Sequence, residues 1–164
     1  MKKSVFFFAK DGKLCEQVEQ RIKGEGFEVI TGEDGNVALK TINVNNVPSL
    51  VVLESTLEGI DTPEVCKTLR SDARTARLPI LIIKDKDTDE TVFNAFQINA
   101  YLTKPFSMDG LVYKVRQALS STDAASKSQE KDPRALLKTI GMTAVLIAAL
   151  VMLVLLFFGH KIFK

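Results

Sequence analysis

Short apolar runs alternate with longer segments of helical periodicity over residues 3–119. Each run is bounded by polar or turn-forming residues, a pattern typical of buried β-strands. Strands separated by helices predict an α/β domain, with a doubly wound parallel sheet of five strands and five helices. The strand runs are SVFFFA (4–9), FEVI (27–30), SLVVLE (49–54), PILII (79–83) and AYLT (100–103).

Two predicted helices begin with recognisable capping signals. Asp34 stands before GNVALKTI as an N-cap candidate. Thr62 is predicted to cap the following helix, with Pro63 at the first helical position. These signals place helices on both sides of the third strand in the sequence.

A different pattern occupies residues 139–159, which are 21 consecutive residues without a charged side chain. A helix of this length spans roughly 31 Å at 1.5 Å per residue, about the hydrocarbon thickness of a bilayer. We therefore expect a transmembrane helix over residues 135–160 and a short tail at 161–164. A buried core helix is the alternative, although core helices usually keep a polar face.

Basic residues flank this apolar segment unequally. Because cytoplasmic flanks carry the excess of Lys and Arg, the N-terminal domain is predicted to lie in the cytoplasm. The result would be a tail-anchored, single-pass protein of the inner (cytoplasmic) membrane. The flanking cations are Lys127, Lys131, Arg134 and Lys138 before the segment, and Lys161 and Lys164 after it.

Residues 120–134, SSTDAASKSQEKDPR, hold no apolar side chain larger than alanine. Such a segment buries too little surface to offset the entropy of ordering it, so we expect a flexible tether. The soluble domain is therefore predicted to cover residues 1–119.

Composition narrows the function classes. With 22 basic and 20 acidic residues, the net charge of +2 gives no bulk attraction to nucleic acid. Cys15 and Cys66 both fall among apolar neighbours in helical patterns, which favours buried reduced thiols over a disulfide. His160 is the only histidine, and no zinc-ligand spacing occurs.

Charged residues of both signs stand where the predicted strands end. In a doubly wound sheet, ligands bind outside the carboxyl ends of the strands. The candidate site residues at this edge are Lys10 and Asp11 after strand one, Glu54 ending strand three, Lys84 after strand four, and Lys104 after strand five.

Four stretches, residues 26–39, 49–61, 69–81 and 100–119, resemble the receiver domain of bacterial response regulators. The most specific match is Lys104-Pro105-Phe106, with Tyr101 three residues before the lysine. The resemblance covers nearly all of residues 3–119. It implies a flavodoxin-like sheet with strand order 2-1-3-4-5.

The resemblance also implies roles at the carboxyl edge. An aspartate in the family accepts a phosphoryl group, and that position is Glu54 here. Lys104 matches the lysine that neutralises the phosphoryl oxygens, and Tyr101 matches the aromatic residue that changes rotamer. Lys84 replaces the hydroxyl residue that bonds those oxygens.

The magnesium ligands implied by the resemblance are replaced. The acidic pair after strand one falls on Ala9 and Lys10, which leaves Asp11, one place late, as a carboxylate. Mg²⁺ needs an oxygen shell that includes one or two carboxylates, so we expect magnesium binding to be lost and no cofactor to be used.

The chemical consequence centres on Glu54. Its extra methylene displaces the carboxylate from where an acceptor must lie, and such a misplacement costs around a hundredfold in rate. We expect Glu54 to pair with Lys104, and with Lys10 or Lys84, as a fixed charge that imitates part of a phosphorylated state. Two alternatives stay open: an idle, solvated carboxylate, or a small anion bound over the three lysines.

The predicted function is that of a non-enzymatic, membrane-anchored pseudo-receiver that signals by binding a protein partner. No basic helix follows residue 119, so direct DNA binding is not expected. The resemblance implies a surface for a partner or a second copy at the last helix and strand. At helical spacing, however, most of the apolar residues there are expected to pack in the core: Phe106, Leu111, Tyr113 and Val115. The rival interpretations are a phosphorylatable receiver with an atypical acceptor site, and a structural membrane subunit that uses the fold as a scaffold.

Overall fold

The computed structural model describes residues 2–43 and 45–129. Five parallel strands form one sheet in the order β2-β1-β3-β4-β5, which confirms the predicted fold class and strand order. The strands are β1 (Ser4–Phe8), β2 (Glu28–Gly32), β3 (Leu50–Glu54), β4 (Ile80–Lys84) and β5 (Ala100–Thr103).

Helices connect consecutive strands, as parallel pairing requires. In the described ranges these are α1 (Gly12–Gly24), α2 (Gly35–Thr41), α3 (Thr62–Ser71), a 3₁₀ helix (Glu90–Phe96) and α4 (Met108–Gln129). A compact unit with its own core ends at Asp123.

Apolar side chains fill both faces of the sheet, because successive residues of a strand point to opposite sides. In β1, Phe7 packs with α1 and α4 on one face, whereas Phe6 and Phe8 pack with α2 and α3 on the other. Cys15 and Cys66 lie one in each cluster as buried free thiols. This burial is what the sequence predicted for both cysteines.

The segment between β4 and β5 corrects the prediction of five α-helices. It folds as a 3₁₀ helix of seven residues, capped by Asp89, whose side chain accepts a hydrogen bond from the Thr91 N–H. Its sequence, ETVFNAF, is rich in β-branched and aromatic residues, which have low helix propensity. Only Phe93 of this segment is buried, so little packing energy favours a longer α-helix.

The start of α3 also differs from the prediction. Asp61 is the N-cap, and its carboxylate accepts the N–H of Glu64 at 2.9 Å. Thr62 is instead the first helical residue, and its hydroxyl turns inward. The Asp34 cap of α2 is confirmed, with its carboxylate accepting the Val37 N–H at 2.8 Å.

The C-terminal helix extends beyond the predicted domain end. α4 continues to Gln129, so the first ten residues of the segment predicted as a tether, 120–129, are helical. The stretch 120–129 contains alanine, lysine and glutamine, and neither Gly nor Pro, so nothing in it interrupts a helix. Within the described residues, no helix is long and apolar enough to span a bilayer. The predicted transmembrane segment, 139–159, lies outside that part of the chain.

Candidate functional site

Glu54 lies at the carboxyl end of the central strand β3, between β1 and β4. It pairs in register with Ile83 of β4, and only 2% of its surface is exposed. Apolar residues fill the sheet on both sides of this position. A carboxylate in such surroundings requires internal hydrogen-bond partners to remain charged.

Two internal donors satisfy that requirement. The Lys104 ammonium forms an ion pair with Glu54 Oε1. The Lys10 backbone N–H donates to Glu54 Oε2 at 2.9 Å. The structure therefore brings together Glu54 and Lys104 as expected, and both carboxylate oxygens of Glu54 accept a hydrogen bond from within the domain.

Lys10 contributes to the site through its main chain. Its side chain is exposed, and the ammonium donates to the Thr56 hydroxyl at 3.3 Å rather than to Glu54. The backbone amide of Lys10 thus makes the contact with Glu54 that was expected of the Lys10 ammonium. This contact does not depend on which side chain residue 10 has.

Lys84 does not pair with Glu54, which corrects that part of the prediction. Its side chain is 10% exposed, and its ammonium lies 3.1 Å from the carboxylate of Glu90, at the start of the 3₁₀ helix. Glu90 was not among the residues predicted for the site. The sequence signal that could have indicated an acidic partner is Lys84 itself, because a buried cation at the end of β4 requires an anion nearby.

Asp11 serves as the N-cap of α1. Its Oδ1 accepts the N–H groups of Lys13 at 3.0 Å and Leu14 at 3.2 Å. The carboxylate therefore satisfies two amides that the first turn of a helix leaves without partners. The structure thus gives Asp11 a capping role in addition to its predicted place at the carboxyl edge.

Tyr101 is half-buried and packs against the cluster formed with α2 and α3. Burial raises the pKa of its hydroxyl, and the nearby charges of Glu90 and Cys66 raise it further. Tyr101 and Lys84 thus share the neighbourhood of Glu90. Through Glu90, the 3₁₀ helix lies near both Lys84, which occupies the hydroxyl position of the family, and Tyr101 on β5.

Two further residues were missed in the sequence analysis, and they lie at opposite ends of α3: Thr62 at the carboxyl edge of the sheet and Arg70 at the amino edge. The hydroxyl of the fully buried Thr62 donates to the Glu54 carbonyl at 2.6 Å. Arg70 of α3 donates to the carbonyls of Phe96, Gln97, Leu78 and Thr75 at 2.7, 3.1, 2.8 and 3.4 Å. Burial lowers the pKa of the Arg70 guanidinium. Neither role has a sequence signature, because both depend on tertiary contacts with backbone carbonyls.

The side chains around Glu54 do not fit a magnesium site. Mg²⁺ prefers an octahedral shell of oxygen atoms with carboxylate ligands. Glu54 already accepts from an ammonium and an amide, and Asp11 caps α1. Among the described residues, no three His, Cys, Asp or Glu side chains are grouped to hold a metal ion.

An open depression of about 800 Å³ lies at the same edge of the sheet. Asp11, Asp85 and Lys104 contribute to its lining, together with Phe106 and Met108, whereas Glu54 does not. Lys104 therefore takes part both in the lining of this depression and in the ion pair with Glu54.

The parallel five-stranded sheet, with a charged cluster at its carboxyl ends, defines an α/β domain of the flavodoxin-like class. Residues 10–116 match the response regulator receiver domain family. The chain therefore belongs to this family, whose domains act in two-component signalling.

Two curated relatives illustrate the relationship. The alkaline phosphatase synthesis transcriptional regulatory protein PhoP of Bacillus subtilis is 29% identical over 130 residues, which cover 79% of this chain and 54% of PhoP. The DNA-binding dual master transcriptional regulator RpaA of Synechocystis is 30% identical over 115 residues, covering 69% and 47%. The chain thus spans about half the length of these relatives.

Solved structures agree with this fold. The receiver domain of Francisella response regulator 1452 superposes with a TM-score of 0.64 at 26% identity, covering 74% of this chain and 99% of that one. The chemotaxis response regulator CheY4 of Vibrio cholerae gives 0.66 at 19% identity, covering 72% and 99%. At 19% identity, the similarity to CheY4 is evidence for a shared fold and for nothing further.

Proposed function

We propose that this protein is a membrane-anchored pseudo-receiver, which signals through a protein partner without accepting or passing a phosphoryl group. The carrying observation is the buried Glu54 carboxylate at the acceptor position, with Lys104 on one oxygen and the Lys10 amide on the other. In this proposal the ion pair holds the domain in one conformation, as a partial imitation of the phosphorylated state.

The electrostatics of the edge support a site without phosphoryl chemistry. Phosphoryl transfer requires a metal and a cation placed to stabilise the charge that develops in the transition state. Here the cation is already paired with Glu54, and Lys84 at the hydroxyl position is paired with Glu90. An incoming phosphoryl group would have to displace Lys104 from a carboxylate that is almost entirely removed from water.

The apolar segment at 139–159 supports anchorage in the cytoplasmic membrane, with the receiver domain in the cytoplasm. Anchorage raises the effective concentration of the domain toward membrane-bound partners, by an amount that the tether sets. The expected partner is another signalling protein or a second copy of this chain.

Intact mass measurement tests the catalytic part of the proposal. The domain (residues 1–123) is incubated with acetyl phosphate and Mg²⁺, and no mass increase is expected for the wild type or for Glu54→Asp. A receiver domain shown beforehand to take up a phosphoryl group from acetyl phosphate, treated in parallel, provides a check on the donor. A phosphoryl adduct on the wild-type chain would favour a phosphorylatable receiver instead.

Glu54→Gln tests the conformational part, because it keeps the shape of the side chain and removes its charge. The proposal expects altered amide and ring NMR shifts at Tyr101 and weaker binding of any partner isolated with the full chain. Glu58→Gln, an exposed residue of the next loop, is the matched control. Unchanged Tyr101 shifts in Glu54→Gln would identify the carboxylate as an idle relic.

Membrane anchorage is tested on the full chain in cells. We expect the protein to remain in the membrane fraction after alkaline carbonate extraction, and a chain that ends at Asp123 to be released. Release of the full chain would contradict the anchor. If both chains bind the same partner with equal affinity off the membrane, the structural-subunit interpretation fails.

A further inference from the structure

Charges of opposite sign are separated between the two edges of the sheet. At the carboxyl edge, among the described residues, acidic side chains outnumber basic ones: Asp11, Glu33, Asp34, Glu54, Glu58, Asp61, Asp85, Asp87, Asp89 and Glu90 against Lys10, Lys13, Lys84, Lys86 and Lys104. At the amino edge, where strands begin and helices end, the balance reverses. The residues there are Lys2, Lys3, Lys23, Lys40, Arg74, Arg77 and Arg116 against Glu25, Glu28 and Asp72.

Two of the acidic residues at the amino edge are already ion-paired. Glu25 binds Arg116 and Arg21, and Asp72 binds Arg74. Because each of these pairs takes one charge of either sign, pairing leaves the balance unchanged, and the excess of basic over acidic side chains among the described residues gives this edge a positive field. A surface of this sign attracts anions, and the opposite edge repels them.

The same edge contains a depression of about 350 Å³ with a cationic rim and an apolar lining. Lys3, Arg74 and Arg77 form the rim, and Val47 is 39% exposed beside them. Leu119, near the end of the buried part of α4, also lines it. The chain thus leaves the core of the domain at its positive edge, and the uncharged segment 139–159 follows twenty residues later.

We propose that the amino edge of the sheet docks on a layer of anionic lipid headgroups, with Lys3 and Arg77 closest to the phosphates, Arg74 adding its charge from its pair with Asp72, and Val47 reaching the interface. This inference builds on the proposed membrane anchorage and adds an orientation to it. Cations close to an anionic leaflet each contribute attraction, whereas the acidic carboxyl edge is repelled. The domain would therefore present the Glu54 edge to the cytoplasm, where a protein partner can reach it.

The test uses residues 1–123, which form a compact unit with its own core and match an isolated receiver domain over 99% of that chain. Co-sedimentation is measured with vesicles of phosphatidylcholine alone and of phosphatidylcholine with phosphatidylglycerol. We expect binding only to the anionic vesicles, and a steep loss of binding as NaCl is raised.

A triple variant, Lys3→Gln, Arg74→Gln and Arg77→Gln, should bind these vesicles on the order of a hundredfold more weakly, because each cation near the surface contributes separately. The matched control, Lys13→Gln, Lys67→Gln and Lys86→Gln, makes the same change in net charge away from the amino edge. If the two variants lose vesicle binding equally, net charge alone explains the binding, and the proposal is overturned. Thermal unfolding confirms that both variants are folded.

Two further outcomes would also contradict the proposal. Competition by millimolar inorganic phosphate would identify a free-phosphate site, and binding to an acidic protein but not to vesicles would identify a protein interface. The fragment lacks residues 139–159, so failure of vesicle binding leaves the anchor intact. The anchor fails only if the full chain is released from membranes.

Discussion

The Glu54 carboxylate and the Lys104 ammonium form an ion pair in which the anion is far more buried than the cation. Glu54 has a side-chain exposure of 2%, and Lys104 one of 28%. Desolvation of the carboxylate is therefore nearly complete, while Lys104 keeps some contact with water. The energetic consequence of breaking the pair depends on which partner is left behind.

Lys104→Met should destabilise the domain by about 3 kcal/mol, because it leaves a buried carboxylate with a single amide partner. Lys10→Met is the control, since the Lys10 contact with Glu54 comes from the backbone N–H, which the substitution retains. We expect the control to cost under about 0.5 kcal/mol. Urea unfolding of the two variants measures both values, and equal costs would contradict the assigned partners.

Glu90→Gln should cost about 1–2 kcal/mol, because it deprives the buried Lys84 ammonium of its anion. Glu64→Gln breaks the exposed pair with Lys67 and should cost about 0.5 kcal/mol or less. The pKa of Tyr101 should also fall toward its ordinary value in Glu90→Gln, while burial keeps it elevated. An ultraviolet titration of Tyr101 against a Tyr113→Phe background measures this change, and an unmoved midpoint would exclude the link through Glu90.

The elements of the sheet and their order followed from apolar runs such as SVFFFA, because a strand buried on both faces leaves a continuous apolar signal. The charges at the carboxyl edge were predictable for the same reason, since parallel strands end together. Which of these charges form ion pairs with each other was harder to predict from the sequence. The resemblance indicated Lys104 as the partner of Glu54, whereas the partner of Lys84 depends on the 3₁₀ helix, which places Glu90 near it.

The helix ends were the least predictable features. Asp61 and Thr62 are adjacent N-cap candidates, and local propensity ranks them closely. Tertiary structure decided between them, because the Thr62 hydroxyl has a buried acceptor in the Glu54 carbonyl. The Arg70 contacts likewise join α3 to residues far along the chain, and no local pattern encodes such contacts.

Arg70→Lys should loosen the 3₁₀ helix, because an ammonium cannot reproduce the fork of donors that reaches four carbonyls. Amide hydrogen exchange over Glu90–Phe96 should accelerate, while exchange in β1 and β3 stays slow. Lys67→Met, at an exposed position of α3, the helix that also contains Arg70, should leave exchange over Glu90–Phe96 unchanged. Uniform acceleration across the domain in Arg70→Lys would indicate global destabilisation in place of a local anchor.

Thr62→Val tests the bond between α3 and the end of β3. The substitution keeps the branched shape and removes the hydroxyl that donates to the Glu54 carbonyl at 2.6 Å. With this acceptor buried, we expect a loss of about 1–2 kcal/mol in unfolding free energy. Thr68→Val, at an exposed position of α3, should be nearly neutral. If Thr62→Val leaves the free energy of unfolding unchanged, the hydrogen bond from Thr62 to the Glu54 carbonyl does not stabilise the domain.

Cys66 gives the domain an alkaline sensitivity with a defined sign. Burial raises the pKa of its thiol to about 12 from 9.0, with the charge of Arg70 opposing the shift. Because the folded-state pKa lies above the unfolded one, the stability from keeping the thiol neutral is complete below the unfolded value. It is then lost progressively as the pH rises from about 9 toward 12.

The difference in unfolding free energy between the wild type and Cys66→Ala should therefore narrow over that pH range. Val65→Ala, which also removes atoms from a fully buried side chain of α3 but no titratable group, should differ from the wild type by a constant amount. Urea unfolding at about pH 8 and about pH 11 measures both differences. Parallel behaviour of the two variants would mean that Cys66 titrates alike in the folded and unfolded states.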